Sequence, residues 1–182
     1  KEEIEWIESR KERMMELKRK IEDGSIPMRV AHNDTKINNI LFDKKGDVLC
    51  VIDLDTVMRA PVLYDFGDAI RSYANTGKED DSNLDNVEIS LDIFRGFAEG
   101  YLSQCREALT DAEIDNLAFS ALYITFEQVL RFLMDYIDGD TYYKTRYPAH
   151  NLVRARAQYK LLRSMEEHYE EMQSIIRSIT AE

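Results

Sequence analysis

Asp34 in the run His32-Asn33-Asp34, Asn39 five positions later, and Asp53 closing the apolar run Val51-Ile52 are residues whose types and spacing could do chemistry together. Asp34 is the kind of group that orients an attacking hydroxyl and takes its proton. Asn39 and Asp53 offer hard amide and carboxylate oxygens, the ligands magnesium accepts when water and phosphates complete its shell. The set reads as the magnesium and phosphoryl-transfer half of a kinase-type site.

Local elements must bring these groups together. Ile40-Leu41-Phe42-Asp43 and Val48-Leu49-Cys50-Val51-Ile52 are β-prone runs around the polar turn Lys44-Lys45-Gly46-Asp47, a hairpin signal. A turn centred near Lys45 and Gly46 pairs Leu41 with Cys50 and Asn38 with Asp53, leaving Asn39 one step away. Adjacent strands lie about 4.8 Å apart, so an amide oxygen and a carboxylate converge at one mouth of the hairpin. Asp34 lies just upstream, on the loop entering it.

The runs from His32 through Asn39 to Phe42, and from Val51 through Asp53 to Thr56, resemble the aminoglycoside phosphotransferase and choline kinase superfamily. Asn33, the Leu54-Asp55-Thr56 that follows Asp53, and Tyr64-Asp65-Phe66-Gly67-Asp68 are most similar to the anomeric sugar kinases typified by N-acetylhexosamine 1-kinase. Residues 1–182 are accordingly expected to form an α+β, predominantly helical unit: a protein-kinase-like C-terminal lobe with a small β-hairpin carrying the metal site. The resemblance implies Mg2+ as cofactor, ATP as co-substrate, a sugar or other small alcohol as acceptor, and an N-terminal lobe of the same parent chain as partner. No glycine-rich loop fits between Lys1 and His32, so the chain is read as a fragment, inactive alone.

Asp65-Phe66-Gly67 spells the metal triplet of protein kinases, yet it follows Pro61 rather than closing the strand beside Asn39. The metal role therefore goes to Asp53. Asp65 is expected to cap a helix beginning there and to brace the catalytic loop. His32 is expected to brace the same loop, and Asp55 to meet metal or substrate or to stand in an exposed turn.

Helical periodicity predicts elements from Lys1 to about Glu22 (Ile4, Ile7, Met14, Leu17, Ile21), Asp65 to about Ala74, Leu84 to about Gln104, and Asn151 to Ile179. Thr110-Asp111-Ala112-Glu113 reads as a capping box opening a helix to about Tyr136. On that helix Glu127, Arg131 and Asp135 form a charged stripe that by itself reads as a solvated face. The resemblance implies that Arg131 and Tyr142 bind the acceptor, Arg by forked donors and Tyr by a flat face with a polar tip. Tyr143, Arg146, Tyr147, His150, Asn151 and Arg154 could line the same site or cover the lobe.

A net charge of −11 and no basic patch argue against nucleic acid as partner. The two cysteines, Cys50 and Cys105, make neither a zinc pattern nor a disulfide framework, which suits a reducing cytoplasm. No run is expected to reach the roughly 18 apolar residues of a membrane span, and no secretory segment opens the chain.

The expected reaction is ATP-dependent phosphorylation of a small-molecule hydroxyl, the anomeric hydroxyl of an N-acetylhexosamine or a related sugar. Alternatives are a kinase for homoserine, choline or an aminoglycoside, or a non-catalytic kinase-like binding module. Val48 to Thr56 also matches the first strand of haloacid-dehalogenase-type phosphatases, but the β-rich runs that fold needs downstream are missing.

Overall fold

The computed structural model describes residues 2–181 and is predominantly helical, with two small antiparallel sheets. Helix α1 spans Glu2–Glu22; Lys1, its predicted first residue, lies outside the described residues. Strand β1 (Arg29–Ala31) pairs with β4 (Met58–Ala60), and between them lies the hairpin of β2 (Ile40–Phe42) and β3 (Val48–Val51). Helices α2 (Val62–Tyr73), α3 (Leu91–Cys105), α4 (Asp111–Asp115), α5 (Leu117–Ile137), α6 (His150–Glu167) and α7 (Tyr169–Thr180) follow.

Helix α5 is the axis of the core, with α1, α2, α6 and α7 packed around it. In α2, Leu63, Phe66, Ala69 and Ile70 recur at helical spacing and are all buried, so one stripe faces the core and the other carries Asp65 and Asp68 toward the catalytic loop. At Gly67 the two helices touch backbone to backbone. A Cβ there would meet the Ser120 carbonyl oxygen at 2.5 Å and Ile124 Cγ1 at 2.8 Å.

The hairpin keeps the predicted Leu41 to Cys50 pairing, with a bulge between Leu41 and Phe42. Beyond Ile40 the first strand winds into a 3-10 turn, Ile37–Asn39, so the expected pairing of Asn38 with Asp53 does not form. Asn39 instead accepts the Ile52 N–H on its backbone oxygen, at 2.9 Å. The β1–β4 ribbon was not anticipated: three-residue strands are too short to show a period.

Several predicted helix limits are corrected. Helix α2 starts at Val62 behind Pro61, so Asp65 stands inside its first turn and does not cap it. Leu84–Asn86 is a separate 3-10 turn, and α3 starts at Leu91 behind Ser90, whose hydroxyl accepts the Ile93 N–H. The capping box is present in full, but its helix stops at Asp115 and resumes as α5 beyond Asn116. The last helix is likewise two, α6 and α7, parted at His168. In α1 the inward face is Trp6, Met14 and Leu17, whereas Ile4 is exposed.

The expectation that no run could span a membrane also fails. Leu117–Ile137 is long and apolar enough by length and composition, with a mean hydropathy of 1.3 in its most apolar window. Of that window 61% is buried inside this fold, as a helix surrounded by four others requires.

Candidate active site

The loop that carries Asp34 hangs from α2. Asp65 accepts the backbone N–H groups of His32 (2.8 Å) and Asn33 (2.7 Å), while Asp68 accepts that of Thr35 (3.0 Å). Thr35 returns its hydroxyl to the Asp65 carbonyl at 2.8 Å, and the Tyr73 hydroxyl donates to the Thr35 carbonyl. Asp68 is itself held by Arg71 Nε and Nη2 at 3.0 and 2.8 Å.

A left-handed turn at Asn33 (φ 62°) aims Asp34 out of this frame. Asparagine tolerates that conformation better than most residues, and its side-chain amide locks it by donating to the carbonyls of Ala31 (3.2 Å) and Thr56 (3.1 Å). Thr56 donates its hydroxyl to the His32 carbonyl at 2.6 Å. His32 Nε2 lies 3.2 Å from the Ile52 carbonyl. Because a carbonyl only accepts, Nε2 carries the proton and ties the loop to the hairpin.

Asp34 receives Lys36 Nζ at 2.6 Å and Asn39 Nδ2 at 2.8 Å on one oxygen, Oδ2. Burial works to raise its pKa, but the hydrogen bonds from Lys36 and Asn39, together with the charge of Lys36, outweigh it and hold the carboxyl below its ordinary value. Asp34 is thus an anion at neutral pH. Lys36 is raised in turn, first by its bond to Asp34, with the charges of Asp53 and Asp68 adding to the effect.

Asn39 is buried, and spending its amide nitrogen on Asp34 leaves the amide oxygen for another partner. Asp53 adopts a left-handed conformation (φ 62°) just past the hairpin. Its pKa is raised, chiefly by a hydrogen bond to Asp55 and by that neighbour's charge. Asp53 and the adjacent Asp55 set two hard-oxygen carboxylates side by side, which fits a divalent cation. Among the described residues no three His, Cys, Asp or Glu side chains form a self-sufficient cage. Magnesium in phosphate sites needs only one or two protein carboxylates, so Asn39, Asp53 and the adjacent Asp55 suit it.

Two cavities flank Lys36. One, of about 320 Å³, is lined by Asp34 and His32 on one side and by Phe66, Tyr73, Phe97 and Tyr101 on the other. The second, of about 210 Å³, is lined by Lys36, Arg71, Asn75, Glu79 and Gln158 among others. A larger open depression, about 690 Å³ between Leu91–Arg95 and Glu170–Ser178, shares no residue with the catalytic loop and offers it nothing.

Arg131 and Tyr142 group elsewhere. The Arg131 guanidinium lies 5.7 Å from the Tyr143 ring, against which Tyr142 packs edge-on at 4.9 Å. Neither lines the cavity beside Asp34, and among the described residues no hydrogen bond or ring contact joins them to it. The charged stripe also divides: Glu127 and Arg131 are exposed, whereas Asp135 is buried and accepts the backbone N–H groups of Thr141, Tyr142 and Tyr143 at 2.8–2.9 Å. Burial opposes ionisation of Asp135, yet these bonds outweigh it and lower its pKa. Sequence reasoning passed over Lys36, whose signal was its place two residues after Asp34; it noted Asp68 within the motif Tyr64 to Asp68 without a role, and it missed Arg71 and Gln158, which carried no local signal.

The profile of the phosphotransferase enzyme family matches residues 1–101, more than half of the chain. A protein of Nematostella vectensis named "Probable ethanolamine kinase" is 28% identical over 103 residues, which cover 54% of this chain and 27% of that protein. The match thus spans about a quarter of that relative's length.

Proposed function

Because the chain belongs to the phosphotransferase enzyme family, we propose that it is the C-terminal lobe of a magnesium- and ATP-dependent kinase acting on the anomeric hydroxyl of an N-acetylhexosamine or a related sugar. The observation that carries phosphoryl transfer is the anionic Asp34, fixed by Lys36 and Asn39 next to the Asp53–Asp55 pair. Asp34 orients the acceptor hydroxyl and takes its proton. The acceptor oxygen bonds to the γ-phosphorus as the bond from that phosphorus to the β-γ bridging oxygen breaks, and ADP leaves with the electron pair. Lys36 places positive charge beside the transferring group. Asn39 and Asp53 would hold magnesium, which when bound supplies charge against the phosphate oxygens.

The sugar reading draws support from the residues that carry the resemblance. Asn33, Thr56, Asp65 and Asp68 are bonded into one frame around Asp34, so they belong together mechanically as well as in sequence. An N-terminal lobe draws support from the hairpin and its flanks, where Val30, Val48, Leu49 and Leu54 are each more than half exposed, apolar surface that a neighbouring layer would cover in part. A cytoplasmic setting, where ATP is at hand, goes with this reading.

An amino alcohol is the second reading, favoured by the aromatic cavity beside Asp34. Rings of Tyr73, Phe97 and Tyr101 can face an ammonium group, and His32 Nδ1 is buried without a hydrogen-bond partner. The relative's name points the same way. Assaying the complete protein for ATP consumption with N-acetylhexosamines, hexoses, homoserine, choline, ethanolamine and aminoglycosides decides between them. Preference for an amino alcohol over every reducing sugar removes the sugar reading and leaves the kinase.

A further inference from the structure

Gln158 is fully buried on α6, and its amide is oriented by a neighbour rather than by choice. Arg71 Nη1 donates to Gln158 Oε1 at 3.3 Å, so rotating the amide would set its NH2 group against the guanidinium. The orientation leaves Nε2 buried with no partner. A stranded donor of this kind costs stability unless something accepts from it. Gln158 lines the cavity of about 210 Å³ that shares Lys36 with the Asp34 side.

The other walls say what would fit. Arg71 is neutralised by Asp68 (2.8 Å) and Glu79 (3.1 Å), and Lys36 by Asp34 (2.6 Å), so no free cation calls for an anionic ligand. An ammonium would meet the amide NH2 of Gln158, and the Glu79 carboxylate beside it is already paired with Arg71. A neutral molecule with several oxygens can accept from Nε2 and donate to Glu79 or Asn75.

We propose that this cavity receives the non-reacting, hydroxyl- or carbonyl-bearing end of a neutral acceptor, with Gln158 Nε2 donating to one of its oxygens while the reacting hydroxyl reaches Asp34 past Lys36. The proposal rests on Asp34 as the transfer site and makes Gln158 a determinant of acceptor class.

Gln158→Met removes the donor and keeps chain length; Gln158→Glu keeps an oxygen for Arg71 and removes the donor as well. With the complete protein, saturation-transfer NMR and titration should show N-acetylglucosamine binding weakened roughly three- to tenfold in both variants, the loss of one hydrogen bond. Its KM should rise by the same factor, with kcat and the ATP KM nearly unchanged. Circular dichroism identifies any variant that fails to fold, and the other is then read. Unchanged N-acetylglucosamine binding in a folded variant overturns the proposal, as does a wild-type protein that binds no neutral sugar. Sugar binding that depends on Gln158 without any phosphoryl transfer would sink the kinase reading and leave the cavity assignment standing. Ethanolamine turnover insensitive to both variants would do the reverse.

Discussion

Lys36 Nζ lies 2.6 Å from Asp34 Oδ2, so the proposed base and a cation that could face a phosphate are held in one short turn. The ion pair raises the lysine and lowers the aspartate. Its sign with pH follows from linkage. Asp34 is depressed, so its contribution to stability is present above the ordinary carboxylate value of 3.8 and fades as pH falls through the lower folded value. Lys36 is raised, so its share is complete below 10.5 and is lost only as pH rises through the higher folded value. The unfolding midpoints of wild type and Asp34→Asn should therefore differ at neutral pH and converge in acid. A constant gap would show that the pair is not what titrates. In the complete protein Asp34→Ala should lower kcat strongly with a modest change in ATP KM.

Asp53 has the opposite sign. Its folded pKa is raised by Asp55, so the metal-free chain binds a proton there more tightly than the unfolded chain does, and stability drops as pH rises through that value. Magnesium should offset the loss, raising Tm at neutral pH and much less at acid pH. Asp53→Asn should erase the magnesium response and abolish turnover in the complete protein. Near-normal activity of a folded Asp53→Asn would remove this residue from the mechanism.

Asp65→Ala strands two backbone N–H groups of the catalytic loop, those of His32 and Asn33, and does not uncap a helix. The expected cost is about 1–3 kcal/mol for each donor that stays buried, together with a fall in kcat as Asp34 loses its fixed position. Denaturant unfolding and steady-state kinetics measured on one preparation test both parts. Full activity in a folded variant would show that the loop holds itself.

Gly67→Ala should destabilise by about 1–3 kcal/mol through overpacking, because the added methyl would lie 2.5 Å from a backbone oxygen that cannot swing aside. Chemical denaturation provides the measure, and an unchanged midpoint would mean that α2 and α5 part without cost. The triplet Asp65-Phe66-Gly67 thus looks like a metal motif for unrelated reasons: its acid holds a loop, its ring fills the core and its glycine admits a helix.

What could be read ahead of the structure was mostly local. The Leu41 to Cys50 register follows from alternation around a short turn, and the Thr110 to Glu113 box from four adjacent residues. The grouping of Asp34 with Asn39 is local as well, spanning five positions. Helix breaks at Asn116 and His168 were hidden because neither has a glycine or proline and the apolar period runs through both. Gln158 and Arg71 lie 87 positions apart, and nothing in the neighbourhood of either announces the other. Arg131 and Tyr142 came from resemblance alone.

Contact of backbone on backbone at Gly67 has no rotamers to rearrange, which gives α2 one seat on α5. Asp65 and Asp68 leave α2 within one turn of that seat and carry the catalytic loop. The loop is therefore clamped, through α2, to the central helix of the fold by a short lever. Substitutions that reshape the outer helices should leave the position of Asp34 almost untouched, whereas any that tilt α5 should reach it directly.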